Sequence, residues 1–288
     1  MESNGRRFRM AGKLTAAVLV FLLLAQFGLH VLAAAPETED DVYLLVGYDA
    51  QEGDTAARSD TMILCRFDKE AGQLILVSLL RDLYVPIPGH GKNRLNAAYA
   101  LGGAELLEKT IENAFDVSVT GCIEVDFSRF SQIIDLLGGV ELELREDEAA
   151  LIGAETGTAL ASGEQRLSGA QALSYARIRC LDRDGDFSRT KRQRILLKAL
   201  WEAYKDCSLP DLIRLMKTLA PMLRMNLESG SLLHTAVDMF PHISDMELRG
   251  GSIPAKNQCR DVYVDGMAVL QTDLDAAGKL LKSYLRLA

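Results

Sequence analysis

A charge-free stretch at residues 14–35 places the first constraint on what this 288-residue chain can fold into. Only Gln26 and His30 interrupt its otherwise small and apolar residues, and 22 residues suffice to cross the hydrocarbon core of a bilayer. Four basic residues precede the stretch, and such a flank stays in the cytoplasm. The sequence therefore predicts a basic cytoplasmic N-terminus over residues 1–13, a transmembrane anchor over 14–35 and an extracytoplasmic body beyond it.

A cleaved signal peptide is the competing interpretation of the same stretch. Ala33, Ala34 and Ala35 offer small residues at a cleavage position. The apolar stretch is longer than the core of a typical signal peptide, which favours the uncleaved anchor. Both interpretations place the body outside the cytoplasmic membrane, and both argue against a cytosolic regulator.

The charge of the body argues against nucleic acid as a partner. The chain carries a net charge of −8, of which residues 1–13 contribute +3, so the remainder carries −11. Surfaces that bind DNA or RNA neutralise phosphates with Lys and Arg. The five cysteines show no CxxC spacing, which argues against both a zinc site and a disulfide scaffold.

Short apolar strands alternate with helical patterns through the body. Predicted strands cover residues 42–48, 61–67, 74–80, 123–125, 140–144 and 246–253. Predicted helices cover residues 104–115, 127–137, 170–175, 231–239 and 273–287, with further helix between 210 and 226. Residues 151–169 are predicted as a loop. This alternation predicts a single layered α/β domain over residues 42–288, with a central mixed β-sheet flanked by helices.

A basic stretch at residues 177–193 is the most unusual segment of this acidic body. It holds six basic residues against three aspartates and leads into a helical apolar pattern. Ser188 is a plausible N-cap, which predicts a helix from Arg189 with Arg189, Arg192 and Gln193 on one face. Free backbone N–H groups at a helix start favour an anion. The segment predicts a site for phosphate or pyrophosphate; the alternative is a solvated basic helix start.

Ordered motifs along the chain resemble those of the LytR-CpsA-Psr family of cell-wall glycopolymer ligases. They read VGYD at 46–49, RSDTM at 58–62, SLLRD at 78–82, NAAY at 96–99, VDF at 125–127, LGGV at 137–140 and ALSYARIR at 172–179. Asp186, Arg189, Arg192 and Gln193 continue the last motif. Two positions depart from the family pattern, since Leu80 stands where a proline is usual and Arg94 where a lysine is common.

The resemblance implies phosphoryl transfer from an undecaprenyl-pyrophosphate-linked polymer to a peptidoglycan sugar hydroxyl. Guanidinium groups neutralise charge on transferring phosphates. The residues expected to do so, with Gln193 as a neutral donor, are Arg81, Arg177, Arg179 and Arg189. Arg58, Arg94 and Arg192 are further candidates for binding the substrate. Asp186 is expected either to orient or deprotonate the acceptor hydroxyl, or to hold Arg177 or Arg179.

Asp49 and Asp60 are the candidate ligands of a metal ion under the same resemblance. Mg²⁺ typically takes one or two carboxylates together with phosphate oxygens, and Mn²⁺ is the alternative cation. Three other functions use some of the same residues: a phosphatase with water as acceptor, a glycopolymer-binding module without turnover, and a membrane-bound transcriptional regulator. The expected polymer is of teichoic acid or capsular type.

Overall fold

A computed structural model describes residues 41–49, 57–226 and 240–287 of the protein. The predicted anchor at 14–35 and the predicted helix at 231–239 lie outside these residues. Among the described residues, no helix combines the length and hydropathy needed to cross a membrane. The chain divides into two compact units. The sheet unit comprises residues 41–49, 57–127, 224–226 and 247–287, and the helical unit comprises residues 128–223 and 240–246.

Twelve strands and seven α-helices are assigned over the described residues. The strands are β1 (Val42–Asp49), β2 (Arg58–Asp68), β3 (Gln73–Leu79), β4 (Tyr84–Ile87), β5 (Gly91–Arg94), β6 (Gly121–Asp126), β7 (Val140–Leu144), β8 (Gly163–Leu167), β9 (Arg224–Met225), β10 (Glu247–Ile253), β11 (Cys259–Val264) and β12 (Met267–Thr272). The helices are α1 (Leu95–Phe115), α2 (Phe127–Leu136), α3 (Glu146–Thr156), α4 (Gly169–Arg177), α5 (Asp186–Tyr204), α6 (Leu209–Leu219) and α7 (Leu274–Leu285).

A six-stranded mixed sheet forms the centre of the sheet unit, in the order β10-β3-β2-β1-β6-β9. Strand β1 pairs antiparallel with β2 and parallel with β6, and β3 pairs parallel with β10. Nearly every residue of β1 is buried, as expected for a strand covered on both faces. Helices α1 and α7 contact each other and pack on the sheet through one apolar core. The predicted α/β fold with a central mixed sheet and flanking helices is confirmed.

Helix α1 begins at Leu95 and is divided by Gly102 and Gly103, which have non-helical backbone angles. Gly103 has a φ of 65°, and a glycine adopts this left-handed conformation without steric cost. The part after the kink confirms the predicted helix at 104–115, whereas the part from Leu95 to the kink was not predicted.

The predicted loop at residues 151–169 is wrong. Helix α3 and strand β8 occupy most of it, and β8 pairs antiparallel with β7. Helix α3 buries Glu148, Ala149 and Ile152, so its inward face includes a charged side chain. This helix therefore lacks the apolar stripe at helical spacing by which helices are predicted from sequence.

Helix α4 starts in very close contact with α2 inside the helical unit. A Cβ atom on Gly169 would lie 1.9 Å from the carbonyl oxygen of Ser131. The N–H of Gly169 donates to Asp135 Oδ1 at 2.7 Å, and Ser168 caps the helix. Only a residue without a side chain fits at this contact.

Gly169→Ala is expected to destabilise the helical unit, because the added methyl group forces the two helices apart. Overpacking of this kind costs about 1–3 kcal/mol. Urea unfolding followed through the fluorescence of Trp201, the only tryptophan of the chain and fully buried in α5, measures the loss. Ala170→Ser is the matched control on the same turn. Equal stability of the two variants would contradict the predicted contact.

Candidate functional site

The candidate residues of the sheet unit gather where β1 ends and β2 begins. Asp49 is the last residue of β1 and pairs with Arg58. Gly47 pairs with Thr61 and Tyr48 with Ser59, so Asp60 is the extra residue of a β-bulge. Bulges redirect side chains and are frequent beside active sites. The bulge explains how a carboxylate within a mostly buried strand stays partly exposed, at 24% for its side chain.

Arg81 lies in the turn that follows β3 and points to this bulge. Its Nη1 atom donates to Asp60 Oδ1 at 2.5 Å. The turn is held on both sides, because the N–H of Leu80 donates to Ile253 O at 3.0 Å and the N–H of Asn96 donates to Arg81 O at 3.1 Å. Leu80 is the residue that replaces the usual proline. A proline has no N–H, so this chain holds the turn with a hydrogen bond that a proline could not make.

Arg94 is held by the hairpin of β11 and β12. Its Nε atom donates to Ala268 O at 2.8 Å and lies 3.5 Å from Asp82 Oδ1. Asp82 Oδ2 lies 3.6 Å from Arg81 Nε. The acid therefore lies between two candidate cations. The predicted role of Arg94 in substrate binding stays a prediction.

The tyrosine of the NAAY motif is fixed within the sheet unit. The hydroxyl of Tyr99 donates to a carboxylate oxygen of Glu124, on β6. Burial, together with this bond, raises the pKa of Tyr99. Its ring lies 5.4 Å from that of Tyr48, between centroids, so the motif connects α1 to the end of β1 where Asp49 is found.

The donor set at the bulge suits a hard cation that also binds phosphate. Asp49 and Asp60 lie on paired strands near one end of the ladder. No group of three or more His, Cys, Asp or Glu side chains suited to a metal is present in the described part of the chain. Two carboxylates fit Mg²⁺ when phosphate oxygens complete its shell. Metal binding by this pair stays a prediction.

In the helical unit, the predicted start of α5 is wrong. The helix begins at Asp186, and Gly185 rather than Ser188 precedes it, with φ 50° and ψ −111°. A glycine tolerates this conformation without strain. The first turn therefore carries an acid, which the helix dipole favours, and Arg189 follows on the fourth residue.

Arg189 and Gln193 are both buried on one face of α5. Arg189 Nη2 lies 2.9 Å from Asp186 Oδ1, and its side chain is 3% exposed. Gln193 Nε2 donates to Ala176 O at 3.4 Å, whereas its buried Oε1 atom has no hydrogen-bond partner among the described residues. The structure thus pairs Asp186 with Arg189, and ties Gln193 to the end of α4.

Arg177 and Arg179 are exposed on either side of a buried residue. Arg177 is the last residue of α4, Ile178 follows the helix with φ −58° and ψ 126° and is 3% exposed, and Arg179 comes next. Both arginine side chains are therefore accessible from solvent within a segment of three residues.

Arg192 is buried in a set of ion pairs, the Arg192 cluster, made of Arg145, Glu148, Asp182 and Arg192. Arg192 Nε donates to Glu148 Oε1 at 2.8 Å, and Nη2 donates to Asp182. Arg145 Nη1 donates to Asp182 Oδ1 at 2.9 Å. A buried cation requires such countercharges. The expectation that Arg192 contacts the substrate stays a prediction.

The cluster makes a pH dependence of stability predictable. Arg145, and then Arg192, lower the pKa of Asp182 from its ordinary value of 3.8. Because the unfolded chain then binds the proton more tightly, the stabilisation is present above the unfolded pKa and lost as the pH falls through the folded one. Asp182→Asn is expected to lower the urea midpoint at neutral pH, and the difference from the wild type should shrink below about pH 4. A difference that does not change with pH would contradict this assignment.

Three members of the Arg192 cluster, Arg145, Glu148 and Asp182, were not predicted from the sequence to have a role. Asp182 was counted only as one of three acids in the basic stretch, and Glu148 was not considered. The sequence contains one indication of these acids. Arg192 lies on a helix beside the apolar positions 195, 196 and 199, which places a cation near the core. A cation there predicts buried acids elsewhere in the chain.

Comparison with known proteins supplies the family. The LytR_cpsA_psr family model matches residues 30–284. The regulatory protein MsrR of Staphylococcus aureus (strain COL) is 31% identical, covering 84% of this chain and 73% of the relative. The polyisoprenyl-teichoic acid–peptidoglycan teichoic acid transferase TagT of Bacillus subtilis (strain 168) is 34% identical, covering 71% and 64%.

A solved structure agrees with the fold. The LytR-CPS2A-psr family protein YwtF (TagT), with bound octaprenyl pyrophosphate lipid, superposes with a TM-score of 0.66 at 26% identity, covering 92% of this chain and 99% of that one. The family model spans most of the chain, and the two relatives above cover 84% and 71% of it. The chain belongs to the LytR-CpsA-Psr family.

Proposed function

We propose that this protein is a membrane-anchored phosphotransferase that moves a polyprenyl-pyrophosphate-linked anionic glycopolymer onto peptidoglycan outside the cell. The observation that carries the proposal is the pair of exposed arginines, Arg177 and Arg179, in the ALSYARIR motif that resembles the family's. The relative TagT is named as a transferase of this kind, and a TagT structure holds octaprenyl pyrophosphate. Both facts favour a lipid pyrophosphate as the ligand of these arginines.

In the proposed reaction, a sugar hydroxyl of peptidoglycan attacks the phosphorus that bears the glycopolymer. A new P–O bond forms, the bridging P–O bond of the pyrophosphate breaks, and the polyprenyl phosphate leaves with the bridging oxygen. The hydroxyl proton is released to water. Arg177 and Arg179 neutralise the phosphates as charge shifts to the leaving group. Arg81, which is charged and directed at Asp60, neutralises charge in the same way.

Asp186 has two candidate roles, and its geometry favours one of them. Its ion pair with the buried Arg189 orients that guanidinium. We therefore propose Asp186 as the residue that positions Arg189, and removal of the acceptor proton as the alternative. The sequence predicts Gln193 as a neutral donor, but its Nε2 atom donates to Ala176 O. Its buried carbonyl oxygen, which no described group satisfies, is instead proposed to accept a hydrogen bond from the substrate or from its water.

Asp49 and Asp60 are proposed to hold Mg²⁺, with Mn²⁺ as a substitute. The cation would add positive charge beside the pyrophosphate and complete its own shell with phosphate oxygens. The existing bond between Asp60 and Arg81 keeps the carboxylate oriented. Teichoic acid is the polymer that the relative's name favours, and a capsular polysaccharide is the second choice.

The full chain in detergent, incubated with a lipid-linked teichoic acid precursor and a peptidoglycan oligomer, tests the proposal. Product is expected only when donor, acceptor and Mg²⁺ are all present, with one polyprenyl phosphate released per transfer. Release of lipid without transfer would favour a phosphatase. Tight binding of the donor with neither product would favour a binding module, and either result would overturn the proposal.

A further inference from the structure

The loop between α4 and α5 carries Arg179 and begins next to Arg177, yet it contains no regular secondary structure. It spans residues 178–185. Its own backbone bonds are few: the N–H of Gly185 donates to Asp182 O at 3.3 Å, and the N–H of Phe187 donates to Asp184 O at 3.0 Å. These bonds close the end of the loop near α5. The part that holds Arg179 and Cys180 is exposed, so its conformation depends on what anchors the loop.

Arg192 contacts the loop at two places. Its Nη2 atom donates to the carboxylate of Asp182, and its Nη1 atom lies 3.4 Å from the carbonyl oxygen of Ile178. Ile178 immediately precedes Arg179, and its side chain is buried. One buried guanidinium therefore contacts the loop on both sides of Arg179. The contacts are with Ile178, the residue before it, and with Asp182, three residues after it.

The guanidinium is itself fixed by α3. Its Nε atom donates to Glu148 Oε1 at 2.8 Å, and the other oxygen of Glu148 accepts from the N–H of Arg145 at 3.1 Å. Glu148 thus completes the first turn of α3 and holds Arg192 at the same time. Arg145, at the start of α3, reaches Asp182 from the opposite side at 2.9 Å. The loop is thereby attached to a regular helix through two guanidinium groups.

The charges in the cluster balance. Two guanidinium groups face two carboxylates, and the Arg192 and Glu148 side chains are 5% and 7% exposed. If Arg192 turned to a ligand, buried Glu148 would lose its 2.8 Å ion pair and be left with the longer 3.8 Å contact to Arg145 Nη2 as countercharge, which is unfavourable. Its planar fork bonds two acids in fixed directions, which a lysine could not reproduce. The geometry therefore suits holding a loop in place and does not suit binding a phosphate.

We infer that Arg192 is a positioning residue: with Glu148, Asp182 and Arg145, it holds the 178–185 loop so that Arg177 and Arg179 are presented together to the pyrophosphate. The functional part of this inference rests on the proposed role of those two arginines. The structural part, an ionic anchor that orders the loop, does not.

The first test measures loop order without any ligand. Cys180 lies in the loop and is exposed, while Cys65 and Cys122 are buried. A nitroxide label on Cys180, in the full chain with Cys207→Ser and Cys259→Ser, reports the mobility of the loop by electron paramagnetic resonance. Asp182→Asn is expected to narrow the spectral lines, because the label moves faster once the anchor is lost. Unchanged lines would overturn the inference.

Asp147→Asn is the matched control. Asp147 also bonds Arg145, at 3.0 Å, but it is 48% exposed and lies on α3 rather than on the loop. Its replacement removes the same charge from the same guanidinium and is expected to leave the label unchanged. Equal effects of Asp147→Asn and Asp182→Asn would also overturn the inference. If Asp182→Asn fails to fold, as judged by Trp201 fluorescence, Arg145→Gln at a half-exposed site replaces it, with a smaller expected change.

The second test uses geranylgeranyl pyrophosphate as the probe and a double-mutant cycle as the readout. Asp182→Asn is expected to weaken binding several-fold in the wild type, yet to change it by less than about twofold in an Arg179→Ala background, because coupled residues are not additive. A purely destabilising variant would lower binding equally in both backgrounds. If Arg179→Ala does not weaken binding of the probe, the proposed function is refuted. If Arg179→Ala weakens binding and the effect of Asp182→Asn is additive to it, only the positioning role is refuted.

Discussion

Arg179→Ala is expected to weaken the binding of a polyprenyl pyrophosphate by about tenfold or more while the fold persists. The side chain is exposed, so its removal leaves no cavity and no buried charge behind. A hydrogen bond between charged groups contributes about 1.5–3 kcal/mol, and the lost affinity should fall in that range. Isothermal titration with geranylgeranyl pyrophosphate measures the affinity, and the thermal midpoint of the same sample confirms the fold.

Arg183→Ala is the control for that result. Arg183 is exposed in the same loop and its removal changes the net charge by the same amount, but it stands outside the ALSYARIR motif. A large effect from Arg179 with a small one from Arg183 would assign the binding to the motif. Equal effects would show that only the general charge of the loop matters. Arg189→Ala is a weaker test, because it also leaves Asp186 without the cation that it pairs with in the folded protein.

Asp60→Asn is expected to abolish most of the transfer reaction while leaving binding of the lipid nearly intact. The amide keeps the shape of the carboxylate but loses the charge that would hold Mg²⁺, and it weakens the bond from Arg81. Turnover should fall by about a hundredfold or more, as for other losses of charge stabilisation in a transition state. Binding of the lipid should change little, because the weaker hold on Mg²⁺ is offset by the removal of one negative charge near the phosphates.

Glu70→Gln, in the turn after β2, is the control for Asp60→Asn. It is exposed and lies at the other end of the strand, so it removes one negative charge from the sheet unit without touching the bulge. Transfer by the wild type should also stop in EDTA and resume with Mg²⁺ or Mn²⁺. Full activity in EDTA, or in the Asp60→Asn protein, would exclude metal-assisted transfer through this pair.

Two kinds of pattern predicted strands close to their observed bounds: long apolar runs, and the alternation of apolar and polar residues. β1, β2 and β3 contain long apolar runs, and the predicted ranges lie within three residues of the observed ends. β7 alternates buried and exposed residues along Val140–Leu144, and its predicted bounds match. Where burial itself dictates the residue types, the pattern in the sequence is strong.

The elements that the sequence did not predict depend on pairing or charge instead. The hairpin of β4 and β5 contains prolines and glycines typical of a loop, and β11 and β12 are short strands that bury only Val269 and Leu270. Both hairpins are defined by hydrogen bonds between strands, which composition does not reveal. The bulge at Asp60 likewise depends on the pairing register of β1 and β2, which composition does not reveal. The Arg192 cluster joins residues 47 positions apart, from Arg145 to Arg192, and no local signal carries such a pairing.

The strand order of the sheet also sets the order in which it can be completed. Its four inner strands, β3, β2, β1 and β6, come from residues 42–126, whereas both outer strands, β10 and β9, come from beyond residue 223. During synthesis the inner strands emerge first, with two edges of unpaired N–H and C=O groups that can pair with other chains. The bond that holds the Arg81 turn, to Ile253, forms only after nearly all of the chain has emerged. Aggregation before completion is therefore the hazard that this topology creates, and chaperones would act in that interval.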